Sequence, residues 1–171
     1  MKALVVYESM FGNTEAIAGA VADGLAGTFE VTLADVATIP SAEGMGLLIA
    51  GAPTHAFGLS RPRSRLDAKR SGTLRPGAEE IGLREYLNVS PMLTGLPAAT
   101  FDTHLAWLWL PGSAARAASR HLRRLGCRLL ATPATFVVTG TAGPLLAGER
   151  GRAASWAAGI AALLSKEQHR V

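Results

Sequence analysis

The chain has 171 residues, enough for one domain with a sizeable core. It is apolar, rich in Ala and Gly and poor in aromatics, and no apolar run approaches the ~20 residues of a membrane helix, which excludes a helical span and long disorder. The formal charge of +4 is uneven: one Lys faces six acids over residues 1–54, whereas twelve Lys and Arg face five acids over 55–128, without the aromatic interleaving that would suggest nucleic acid.

In chain order, Lys2-Ala3-Leu4-Val5-Val6-Tyr7 reads as a buried strand. Ser9-Met10-Phe11-Gly12-Asn13-Thr14 is a turn, and Glu15 to Leu25 carries Ile17, Val21 and Leu25 at helical spacing. Such a turn can cradle a phosphate, because the free N–H groups of the first helical turn point at the anion and the helix dipole favours its charge. Gly12 lets the backbone approach closely, and Ser9, Asn13 and Thr14 offer side-chain donors. Phe29 to Leu33 predicts a second strand, and Gly46 to Gly51 a third, apolar throughout as a central parallel strand should be. The loop Gly51-Ala52-Pro53-Thr54-His55-Ala56-Phe57-Gly58 follows, with Pro53 stopping the strand and Gly58 permitting a tight return.

Residues 60–92 are polar and turn-rich, and read as a long loop, basic over 60–77, feeding a helix over Glu79 to Leu87. Pro97 to Phe101 predicts a fourth strand, followed by a loop that runs from Phe101 to Gly112. A helix over Ser113 to Leu125 closes at Gly126, Thr135 to Thr139 is a fifth strand, and Ala153 to Ser165 is the last helix, with Trp156, Ile160, Leu163 and Leu164 on one face. This alternation predicts a single α/β domain, a parallel sheet with helices on both sides and right-handed crossovers. Three loops then meet at the carboxyl edge of the sheet. Met1-Lys2 leads straight into a strand rather than into a secretory signal, and the single Cys127 excludes an intrachain disulfide, so the expectation is a soluble cytoplasmic protein.

Several chemistries lack their residues. No G-x-x-x-x-G-K-[ST] or G-x-G-x-x-G follows the first strand. Cys127 begins no C-x5-R motif, because position 133 is Pro, so a low-molecular-weight phosphatase is out. Glu8 stands where receiver domains keep an acid, but their later Asp and Lys are missing. No H-E-x-x-H or G-x-S-x-G is present, and no metal site is expected.

The strand–S-x-x-G-N-T–helix at the N-terminus resembles the flavodoxin-like family, in which this turn binds the terminal phosphate of FMN. Phe11 stands where a Thr is usual; an aromatic there also occurs in the flavodoxin-like quinone reductases and in flavodiiron-type domains. Pro53-Thr54-His55-Ala56-Phe57-Gly58 is similar to the P-T-x-x-G loop that lines the flavin ring in those reductases. The resemblance implies a flavodoxin-like three-layer sandwich with a five-stranded parallel sheet in the order 2-1-3-4-5, and FMN at the switch between strands one and three. It implies FMN contacts from Ser9 to Thr14, from Pro53 to Gly58, and from Asp102, Thr103, His104, Trp107 and Trp109 of the loop after strand four. One indole stacks on the ring, or both pack in the core or at a dimer surface; His55 touches the ring or is solvated. That third loop departs from the family's usual Gly- and acid-rich form.

Arg61, Arg63, Arg65, Lys69, Arg70 and Arg75 follow the second loop with Asp67 the only acid among them. They form a rim for an anionic substrate, a pyridine nucleotide or an acidic protein, or a solvated loop. A basic surround is unlike the acidic carrier flavodoxins. It leans toward an FMN-dependent oxidoreductase acting on a quinone-like or anionic small molecule, with NAD(P)H a candidate reductant, nearer the quinone reductase and menaquinone-dependent protoporphyrinogen oxidase branch. The alternatives are an electron carrier that docks an acidic redox partner and a binding module that has lost its flavin. No catalytic acid or base is assigned.

Overall fold

The computed structural model describes residues 1–56, 58–106 and 111–168. The elements are β1 (Lys2–Tyr7), α1 (Asn13–Leu25), β2 (Glu30–Asp35), β3 (Leu47–Pro53), α2 (Pro62–Ala68), α3 (Leu83–Val89), β4 (Pro97–Leu105), α4 (Ala114–Arg124), β5 (Arg128–Leu129), β6 (Ala134–Val138) and α5 (Glu149–Gln168). The strands form one parallel sheet in the order β2-β1-β3-β4-β5, with β6 also paired to β4. The expected order therefore holds, with one refinement. β5 pairs with Pro97 and Ala98, and β6 pairs with Phe101 to Leu105, so one interrupted strand fills the fifth position. Pro133 lies in the break; it has no N–H to give to a ladder.

Strand alternation divides the core in two. Ala3, Val5, Tyr7, Leu47, Ile49, Ala99 and Phe101 face α1 and α5, while Leu4, Val6, Leu48, Ala50, Ala52 and Ala98 face α3 and α4. Phe101, Phe136 and Trp156 pack edge to face with centroids 6.0 to 6.2 Å apart. The predicted face of the last helix is shifted. Ala153, Ala157, Ile160, Ala161 and Leu164 are buried, whereas Leu163 is exposed. The reason is the close approach of α1 and α5: a Cβ on Gly24 would lie 2.2 Å from the Ala154 carbonyl oxygen, so small residues suit this seam.

Three further departures bear on the site. β4 continues to Leu105, because β6 pairs with it that far, so Asp102, Thr103 and His104 lie in the strand rather than in the loop. The segment expected as a loop over 60–77 contains α2 and a 3-10 turn at Lys69–Ser71. α3 begins at Leu83 rather than near Glu79, because Glu8 Oε2 accepts the Leu83 N–H at 2.7 Å and Glu85 Oε2 accepts the Gly82 N–H at 2.9 Å. The first of these caps comes from a residue 75 positions away in the chain.

Candidate functional site

β1 delivers Glu8, Ser9 and Met10, all buried, into the turn that opens α1. Gly12 turns the chain with φ +95°, a conformation that L side chains rarely adopt. Ser9 Oγ accepts the Gly12 N–H at 3.0 Å, and among the described residues no side chain caps the helix. Its first N–H groups are therefore left for a ligand, and the dipole gives that end a partial positive charge. The Thr14 and Thr103 hydroxyls are buried 2.8 Å apart, tying the start of α1 to β4. Asn13 packs against the loop after β6: a Cβ on Gly143 would come 2.6 Å from Asn13 Oδ1.

A cavity of about 380 Å3 opens at the carboxyl edge of the sheet, within the size range of small-ligand sites. Ser9, Met10, Phe11, Asn13 and Thr14 line it from the first turn. Pro53, Thr54, His55 and Ala56 line it from the loop after β3, and Thr103 and His104 from the end of β4. Eleven of the expected contact residues thus share one cavity. Sequence reasoning missed Ser64, Asp67, Ala68 and Ser71 on and after α2, and Val138 and Thr141 at the end of β6. The alternating pattern of β6 was a usable signal for the last pair, since a parallel strand ends at the same edge as its neighbours.

Gly12, Gly58 and Asp102 do not line the cavity. Gly12 starts the helix. Gly58, at φ +133°, exchanges backbone hydrogen bonds of 2.9 and 3.0 Å with His55 and closes the loop on itself. Asp102 is fully buried, and its Oδ2 accepts from Thr54 Oγ1 at 3.0 Å, Ser113 Oγ at 2.5 Å and the Ala115 N–H at 3.0 Å. It fastens the start of α4 beneath the cavity. Phe57, Trp107 and Trp109 lie outside the described residues.

The segment from 60 to 77 crosses beside the first turn as a strap with two clasps. At one end the guanidinium of Arg65, fully buried, donates to Ser60 Oγ at 2.9 Å, Glu85 Oε2 at 3.0 Å and the Glu79 carbonyl at 3.2 Å. At the other, the Arg75 N–H donates to the Met10 carbonyl at 2.9 Å, and its guanidinium reaches Glu15 at 2.9 Å and Asp35 at 3.1 Å. Gly72 abuts Phe11 between the clasps; a Cβ there would lie 3.3 Å from the ring. The six cations of this segment are accordingly not a free rim. Arg65, Lys69, Arg70 and Arg75 are paired with Glu85, Glu79, Asp67 and the Glu15–Asp35 pair; Arg61 and Arg63 alone make no ion pair among the described residues.

Two ionisable groups at the site are perturbed. Burial, reinforced by the nearby Arg65 charge, lowers the His55 pKa to about 4, so at neutral pH the imidazole presents one N–H and one lone pair to the cavity. Burial raises the Glu8 pKa to about 7, against the opposing bonds from Ser60 and the Leu83 N–H and the charge of Arg65. Glu8 Oε1 and Asp102 Oδ1 are buried without a hydrogen-bond partner among the described residues.

No protein-family model matches the chain, and no curated protein sequence does. Solved structures do match in fold. A flavodoxin from the domain Archaea superposes with a TM-score of 0.67 at 18% identity, over 96% of this chain and 99% of that one. Flavodoxin 2 from Bacillus cereus gives 0.65 at 22%, over 98% and 99% of the two chains. The Flv1 flavodiiron core from Synechocystis gives 0.63 at 18%, over 98% of this chain and 36% of that one. The chain has the flavodoxin fold.

Proposed function

We propose that the cavity binds flavin mononucleotide and that the protein is an electron-transfer flavoprotein. The observation that carries this is the uncapped start of α1, opened by Gly12 and flanked by Ser9, Asn13 and Thr14, facing a cavity where three strand-end segments converge. These residues fit a phosphate monoester: backbone N–H groups, hydroxyls and a carboxamide are in place, and the one acid of the first turn, Glu15, is occupied by Tyr7 Oη at 3.0 Å and by Arg75. The loss of a hydroxyl at Phe11 leaves an apolar contact with the strap instead. The flavodoxin fold supports the same reading, since its ligand site is this edge of the sheet.

When bound, the isoalloxazine ring supplies one- or two-electron chemistry, and the chain supplies position, electrostatics and access. Ser9, Asn13 and Thr14 orient the phosphate end. Pro53 to Ala56 offer backbone groups to the ring, and neutral His55 can donate or accept one hydrogen bond there but carries no proton to deliver as an acid near pH 7. The strap, held by Arg65 and Arg75, walls the cavity against water on the α2 side.

The electron partner is a small quinone-like or anionic molecule, in an oxidoreductase of the quinone reductase type, or a second protein. The internal pairing of four strap cations removes most of the charge that favoured an anionic small substrate and gives weight to a protein partner. The visible spectrum of the purified protein and calorimetric titration with FMN test the first claim: absence of flavin and of any binding overturns it. Turnover of a quinone with a nicotinamide donor and no added reductase identifies an enzyme; turnover only with a reductase identifies a carrier.

A further inference from the structure

α4 is the one α-helix of the described residues without an acidic residue: Ala-Ala-Arg-Ala-Ala-Ser-Arg-His-Leu-Arg-Arg. Its inner face, Ala114, Ala115, Ala118 and Leu122, is buried against the sheet. Arg116, Arg120, Arg123 and Arg124 are exposed, and none makes an ion pair among the described residues. The helix dipole favours Arg123 and Arg124 in the last turn, but folding does not account for Arg116 and Arg120. Arg116 stands in the first turn, where the helix dipole disfavours a cation, and Arg116–Arg120 and Arg120–Arg124 are like-charge neighbours four residues apart, which repel across one turn. The local potential is felt by His121, whose pKa is lowered by burial and then by the charges of Arg124 and of Arg84 on α3. The helix also begins at the cavity. The Ala114 N–H donates to Thr54 Oγ1 at 3.1 Å, and Thr54 is a lining residue.

Resting on the electron-transfer reading above, we infer that the arginine face of α4 is the docking surface for an acidic redox protein, seated so that it exchanges electrons through the adjacent cavity. Charge complementarity selects the partner: four exposed guanidiniums without an ion pair among the described residues, on an 11-residue helix about 16 Å long, match a surface of clustered carboxylates. Arg suits this role because its planar fork binds carboxylates bidentately. The helix lacks the aromatic side chains on which single-stranded nucleic acid stacks, and its inner face is committed to the core rather than free to enter a bilayer.

The test uses a plant-type [2Fe–2S] ferredoxin, an acidic one-electron carrier, as the probe. Its association with the FMN-loaded protein is measured from ~0.1 M to ~1 M salt, where the Debye length falls from ~10 Å to ~3 Å. Neutralising Arg116, Arg120, Arg123 and Arg124 to Gln should slow association about tenfold or more and flatten the salt dependence. A charge-matched control with Arg61, Arg63, Arg150 and Lys166 changed to Gln should keep most of the rate. Equal losses in both variants overturn the assignment, as does the absence of ferredoxin binding at low salt. Tighter capture of a DNA duplex or of phosphatidylserine vesicles through the same arginines also overturns it, as does a self-dimer that the α4 variant abolishes. FMN affinity, measured on each variant, separates the two claims: intact ferredoxin docking without flavin binding sinks the electron-transfer reading and leaves the surface standing.

Discussion

The Thr14 hydroxyl lies 2.8 Å from the Thr103 hydroxyl, both buried, and this contact joins the helix that starts the candidate phosphate site to the strand that floors it. Each oxygen can give or take the proton, so Thr14 can turn its own hydrogen toward a ligand while Thr103 donates to it. Replacing Thr14 by Val removes a donor to a charged phosphate and leaves Thr103 unpartnered; FMN affinity should fall by about 1–3 kcal/mol. Thr103→Val should cost about 1 kcal/mol of stability with a smaller loss of affinity. Calorimetric titration and urea unfolding measure both. Unchanged FMN binding in Thr14→Val moves the phosphate elsewhere.

Arg75 clasps the far end of the strap to Glu15, Asp35 and, at 5.8 Å, the Tyr7 ring. Its side chain is 29% exposed, so these pairs are partly screened and Arg75→Gln should cost only about 1 kcal/mol of global stability. The local effect should be larger. The strap should open more often, which limited proteolysis reads as faster cleavage within residues 66–77, and bound FMN should dissociate faster. Wild-type cleavage and release rates in the variant would show that the strap is held by its backbone alone.

The alternation of apolar runs was enough to predict a parallel sheet with helices on both faces, because buried parallel strands and their turn residues are local signals; the strand order followed from the resemblance of the first turn to the flavodoxin-like family. The turn proposed for the phosphate is equally local: strand, Ser, Gly, Asn, Thr and helix are contiguous. What was not legible is tertiary. Asp102 has the position of a ligand contact, yet it caps α4, because Ser113 and Ala115 come back to it through a connection no pattern predicts. Arg65 and Arg75 read as a charged loop because their partners Glu85, Glu15 and Asp35 lie 20, 60 and 40 residues away. The arginines of α4, two of which suit the carboxyl end of a helix dipole, stand among the cations that make no ion pair among the described residues once the strap is folded.

Arg65 is fully buried between α2 and α3 with Ser60, Glu79 and Glu85 as acceptors. Arg65→Met leaves the Glu85 carboxylate without its ion pair and Glu8 without the nearby positive charge. Breaking a buried pair from one side costs about 3–5 kcal/mol; the Glu85 side chain is 30% exposed and regains water, so the loss should fall toward the lower figure, roughly 10 °C or less in Tm for a domain of this size. Arg65→Lys keeps the charge but loses the fork, and should fall between. Thermal unfolding measures the series; a shift of a degree or two for Arg65→Met would mean the cluster is solvated when the strap breathes.

Glu8 gives the fold a pH dependence of definite sign. Its folded pKa is about 7 against 4.5 for the free side chain, with burial the main cause. Below pH 4.5 the carboxyl is neutral in both states, and its contribution to stability is fully present. Between 4.5 and 7 the unfolded chain ionises while the folded chain keeps its proton, so stability falls as pH rises, and above 7 the loss levels off at about 3 kcal/mol. Glu8→Gln keeps an acceptor for the Leu83 N–H and has no proton to lose. Urea unfolding at pH 4.5, 6 and 8 should therefore show the variant gaining on the wild type by about 3 kcal/mol across the series. FMN affinity should follow the same course, since the charge that appears on Glu8 above pH 7 lies one residue before the phosphate turn. A constant difference between variant and wild type at all three pH values would mean that Glu8 ionises as an ordinary carboxylate and that its buried Oε1 finds a partner in solution.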